Sequence, residues 1–188
     1  MIRLTAQLDS RLVQFAGSQA PFVASVALNR TAVGARDLVR ENLPKRFRLR
    51  NNWTRGGIQT RTSTKANLVA HVLAPDYMLI QETGGERQPA TSRLLAAPSE
   101  AMQSNRVTPK SKRPRALLAG KGFTVDMGGG EAGVFTRYGK KRGQIRLMYW
   151  LTDTQQYEER FEFERDVSAY VQGRFSVNFT TALADALK

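Results

Sequence analysis

One histidine, no cysteine and one cluster of acids set the chemistry open to this chain of 188 residues. His71 sits in the apolar run Leu68-Val69-Ala70-His71-Val72-Leu73. A polar residue on a strand is the better reading there than the base of a Ser-His-Asp arrangement. The single histidine excludes a multi-histidine metal site within one chain, and the missing cysteines exclude disulfides and thiolate sites. The acids Glu158, Glu159, Glu162, Glu164 and Asp166 could offer oxygen ligands to a hard cation. However, Glu158, Glu162 and Asp166 recur every four residues, which lines one face of a helix without a loop to converge on an ion. Arg160 and Arg165 also stand among them. A solvated helix start, or a face for a basic neighbour, fits better. Gly120-Lys121-Gly122 lacks the spaced glycine and the following Ser/Thr of a phosphate-binding loop. Gly128-Gly129-Gly130 runs into Glu131 and reads as a turn. No nucleophile–base pair emerges, so neither an enzyme nor a bound cofactor or metal is expected.

The basic residues carry more information. The formal net charge is +13. Residues 1–151 hold 25 Lys/Arg against 9 Asp/Glu, a net +16, whereas residues 152–188 hold 4 against 7, a net −3. Lys45, Arg46, Arg48, Arg50, Arg55, Arg61 and Lys65 lie in a stretch with no acid, and so do Arg106, Lys110, Lys112, Arg113 and Arg115. Lys140, Lys141 and Arg142 add a third group. These are the candidate DNA-facing or subunit-facing residues, because Lys and Arg bind phosphate backbones through counterion release without reading sequence. Phe47 and Trp53, interleaved in the first stretch, either stack on single-stranded bases or fill the chain's own core. Glu158, Glu159, Glu162 and Asp166 are candidates for a complementary acidic interface. No helix-turn-helix, zinc-finger or RNA-recognition signature accompanies the charge, so sequence-specific readout is not expected.

The elements that must position these residues follow from periodicity. Leu4, Leu8, Leu12 and Phe15 predict a helix over 3–16. A longer one follows, with Ser18 as cap, Pro21 in its first turn, and Pro44 ending it after Leu43. Residues 45–65 read as a basic extended arm or loop, in which Thr60, Thr62 and Thr64 favour an extended chain. Leu68 to Leu73 reads as a strand. Tyr77 to Gln81 and Leu94 to Ala97 are further short apolar runs. Residues 103–122 read as a basic, flexible insertion. Phe123 to Met127 forms a strand, and Val134 to Tyr138 pairs with Gln144 to Leu151 as a hairpin. From about Glu162 the period turns helical through Phe163, Val167, Tyr170, Phe175, Phe179, Leu183 and Leu187, with acids at the start where the helix dipole favours them. The expected fold is a single α+β domain over 1–188. It has N-terminal helices, an antiparallel sheet with extended basic loops, and a long C-terminal helix packed on that sheet. No secretory signal is expected, and no stretch is apolar enough to span a bilayer. Asn29-Arg30-Thr31 and Asn178-Phe179-Thr180 match a glycosylation pattern by chance.

A long helix containing Val26-Ala27-Leu28-Asn29-Arg30-Thr31-Ala32 precedes the basic stretch. The strand at Leu68 to Leu73 and the segment Tyr77-Met78-Leu79-Ile80-Gln81-Glu82-Thr83-Gly84-Gly85 come next, then a basic insertion, a hairpin and a long last helix. This arrangement, over roughly residues 19–187, resembles the minor tail protein Z and tail-completion proteins of long-tailed phages. It resembles more distantly the head–tail connector group. The resemblance implies a structural virion protein, made in a bacterial cytoplasm and placed in the neck or at the tail top. It implies a homo-oligomeric ring, usually sixfold, between tail terminator or tail tube and head connector, with genomic DNA passing close by. It carries over no catalytic residue. A stand-alone, nonspecific nucleic-acid-binding protein is the alternative.

Overall fold

The computed structural model describes residues 17, 19–89, 94–104, 106–139 and 143–187. The predicted helix over 3–16, the cap at Ser18 and the cations Lys140, Lys141 and Arg142 lie outside the described residues. The architecture is α+β, with a long helix near the start, antiparallel sheets and a long helix at the end. Two compact units make it up. One comprises residues 1–47, 53–76 and 162–188, and the other residues 48–52 and 77–161.

The first unit is a helix pair with a small ribbon. Helix α1 runs from Ala20 to Arg46, with Pro21 in its first turn. It passes through Pro44 instead of stopping before it. The proline falls in the last turn, and the Phe47 N–H still closes a 2.8 Å bond to the Leu43 carbonyl. A short helix, α2 (Trp53–Gly57), leads to strand β1 (Gln59–Arg61), which pairs antiparallel with β2 (His71–Leu73). His71 is thus an exposed residue on a strand. The last helix, called α5 here (Phe163–Ala186), takes its main packing from α1. Val23, Ala27 and Ala182 form the buried seam, flanked by Val26, Phe175, Phe179 and Leu183. Small residues let the backbones approach. A Cβ on Gly34 would run into the Tyr170 hydroxyl and ring, so only glycine leaves that ring its place. Asn178 donates across the same seam to the Thr31 hydroxyl at 2.9 Å. Both asparagines of the glycosylation-like patterns therefore have structural partners, Asn29 through Ser63 as described below.

The second unit is built on a four-stranded antiparallel sheet. The run Tyr77 to Gln81 forms helical turns, a 3₁₀ turn at Asp76–Met78 followed by α3 (Leu79–Thr83). Strand β3 (Gly85–Arg87) then pairs with β8 (Gln155–Tyr157). The main sheet has the order β4-β7-β6-β5, from β4 (Leu95–Pro98), β7 (Ile145–Thr152), β6 (Glu131–Arg137) and β5 (Gly122–Gly128). The β5–β6 turn uses Gly129 and Gly130 at φ 66° and 84°, the left-handed region that glycine enters without strain. Met102, Val134, Met148 and Tyr149 make the core of this unit. Helix α4 (Pro114–Ala119) lies within the basic insertion read over 103–122. Leu117 packs on that core and the Tyr149 hydroxyl donates to the Lys112 carbonyl at 3.0 Å, so the segment is anchored.

Candidate polyanion-facing surface

The first basic stretch does not behave as one arm. Lys45 and Arg46 belong to the last turn of α1, Arg48 and Arg50 to the sheet unit, and Arg55, Arg61 and Lys65 to the helical unit again. Its later part is pinned to α1. The Asn29 carboxamide accepts from the Ser63 N–H at 2.7 Å and donates to the Ser63 carbonyl at 3.1 Å, replacing a strand partner for that residue. The Ser63 hydroxyl reaches the Ser25 carbonyl at 3.1 Å. Arg40 donates twice to the Ile58 carbonyl, at 3.1 and 2.6 Å. Ile58 is fully buried. Within the basic extended arm or loop read over 45–65, the part from Ile58 to Ser63 is thus held on α1. Polar residues inside the α1 pattern do the holding. Trp53 stands 69% exposed and Phe47 is half-buried, so neither is a core aromatic.

Two of the candidate interface acids are engaged within the chain. Arg46 donates to Asp166 through its two terminal guanidinium nitrogens, at 2.7 and 2.9 Å, and reaches Glu162 at 2.7 Å. Asn42 adds a 2.9 Å bond to Asp166, and Arg165 pairs with Glu162. Burial alone would raise the Asp166 carboxyl. The hydrogen bonds from Arg46 and Asn42, with the charges of Arg46 and Arg165, outweigh it and hold the carboxyl below its ordinary value. Glu162 caps α5 at φ 53°, a left-handed conformation unusual for a residue with a side chain. Glu158 and Glu159 stay exposed in the sheet unit. Among the described residues no group of three or more His, Cys, Asp or Glu gathers as a cation site.

The second basic stretch behaves differently. Arg50 donates to the Thr108 hydroxyl at 3.2 Å, which brings a cation from the first stretch to the second. Thr108 lines a cavity of about 290 Å³ together with Gln103, Ser104, Arg106 and Lys112. Arg106, Lys110, Lys112, Arg113 and Arg115 are all exposed, and Arg50 is half-buried. None of the six is ion-paired with a described carboxylate, whereas Arg30, Arg36, Lys45, Arg46 and Arg165 of the helical unit all are. Burial raises the Tyr149 phenol above its ordinary value, while the charges of Arg50 and Arg113 pull the other way. The convergence of Arg50 on Thr108 was not legible in the sequence, because the contact spans 58 positions. Among the described residues no helix is long and apolar enough to cross a membrane. Comparison of the chain with protein-family models, curated proteins and solved structures finds no match.

Proposed function

We propose that this chain is a structural virion protein of a phage neck or tail top. It works as a subunit of a ring that joins the tail to the head connector beside the DNA channel, and it carries out no reaction. The observation that carries the reading is the set of cations around Arg50 and Arg106 to Arg115, fixed on a sheet core without a carboxylate partner among the described residues. Such a set favours a polyanion outside its own fold. The resemblance of residues 19–187 to tail-completion proteins supports the setting. The helices also leave Phe22, Val33, Val171, Val177 and Leu187 in water, apolar surface that subunit packing would cover. A ring interface is heterologous and joins two different faces of each subunit.

Immunogold labelling of particles produced by the genome that encodes the chain tests the proposal. Label at the head–tail junction is expected, and particles without label there would overturn it. The second reading, a stand-alone nucleic-acid-binding protein, draws on the same cations. It predicts that the lone chain binds duplex DNA tightly at physiological salt, beyond the roughly 10⁻⁴–10⁻⁶ M typical of nonspecific contacts.

A further inference from the structure

We propose that Arg50, Arg106, Lys112 and Arg113 form a surface that grips the phosphates of a DNA duplex without reading its bases. The setting rests on the neck-protein reading, which the inference deepens by choosing between two anionic partners, DNA and the acidic face of a neighbouring copy.

Three observations make the choice. The first is convergence. Arg50 reaches Thr108, and Thr108 shares one cavity wall with Arg106 and Lys112, so residues far apart in sequence present cations around one concave surface. The second is anchorage. The Tyr149 hydroxyl holds the Lys112 carbonyl and Leu117 sits on the sheet core, so the backbone bearing these side chains is positioned before any partner arrives. The third concerns the acids. Glu162 and Asp166, which a neighbouring copy would have to offer, are already bound to Arg46 of their own chain. That leaves Glu158 and Glu159 as the exposed remainder of the candidate acidic face, set next to Arg160. A duplex carries about one negative charge per 1.7 Å of axis, and guanidinium groups bind phosphate through paired hydrogen bonds. The exposed side chains of Arg106, Lys112 and Arg113 supply charge without a fixed pattern of donors and acceptors of the kind that base readout needs.

Fluorescence anisotropy with the full chain and a mixed-sequence duplex, over a range of salt, tests this. The triple variant R106Q/K112Q/R113Q removes exposed side chains and leaves the Lys112 carbonyl bond intact, and its melting curve checks the fold. The log–log salt slope is expected to shrink by about 0.9 for each phosphate that is no longer neutralised. R50Q, measured separately, is expected to remove one further step. R55Q/R61Q/K65Q is expected to keep the wild-type slope. An unchanged slope in the triple variant would overturn the assignment. So would an equal reduction in R55Q/R61Q/K65Q, or binding to poly-L-glutamate in preference to the duplex. A chain that shows the expected slopes yet is absent from the head–tail junction would sink the neck reading while supporting the phosphate surface.

Discussion

Two groups of cations in this chain handle their charge in opposite ways. In the helical unit Arg46 closes on Glu162 and Asp166, Arg30 on Asp185, Arg36 on Asp37 and Lys45 on Glu41, while Arg55, Arg61 and Lys65 of the same unit stand exposed. In the sheet unit, Arg50 and the cations from Arg106 to Arg115 make no ion pair with a described carboxylate. A count of charges along the chain treats both groups alike. The structure separates a group that holds a fold together from one that is left to act outside it. The first should show up in stability and hardly in binding, and the second the reverse.

The largest stability effect is expected at Arg46. R46A leaves the Asp166 carboxylate, 7% exposed as a residue, with Asn42 as its remaining side-chain donor. Loss of one partner of a buried pair costs about 3 kcal/mol, readable in a urea melt, and duplex binding should stay the same. Removal of Lys112 and Arg113 should give the mirror image, an unshifted melt and weakened binding. A matching loss of stability there would erase the contrast.

Gly34 comes next. A methyl group at this position must displace the Tyr170 ring. G34A should cost about 1–3 kcal/mol as overpacking, despite the helix preference for alanine. The double variant G34A/Y170L should recover part of the loss, and strictly additive effects would rule out the proposed clash. N29A is expected to cost about 1–2 kcal/mol, since it strands the Ser63 N–H and leaves the Ser63 carbonyl with the Ser25 hydroxyl as its remaining donor. Proteolysis within residues 58–67 should accelerate in that variant if the pin is real.

The smallest effect is the pH dependence. The Asp166 carboxyl is held low in the folded chain, so its ionised form favours folding. That contribution is complete above the ordinary carboxylate value of about 4 and disappears as pH falls through the lowered native value. D166N should flatten the acid limb of the stability curve, and an unaltered limb would argue against the Arg46–Asp166 pair as a stabilising contact.

Regular periodicity made the two long helices, α1 and α5, legible. The apolar residues from Phe163 to Leu187 give α5 almost to the residue, and the alternation of Ile145, Leu147 and Tyr149 gives β7. What escaped was the destination of polar side chains. Asn29 and Ser25 look like interruptions of an apolar face, yet they hold Ser63 on α1, as Arg40 holds Ile58. The run from Arg106 to Arg115 looks like a loop because its charges outnumber its apolar residues, yet a single leucine, Leu117, and one tyrosine hydroxyl are enough to seat it. The charged candidates divided for the same reason. Local sequence shows which residues lack nearby acids, but Glu162 and Asp166 meet Arg46 from 116 and 120 positions away, a distance no local pattern reports.

The salt dependence of duplex binding by the unmodified chain tests the central claim most directly. Cations left without partners in the fold predict a linear log–log fall of affinity with salt, with a slope near −3 to −4 for four phosphate contacts at about −0.9 each. A slope near zero would mean that those cations never meet phosphate, and would contradict the account.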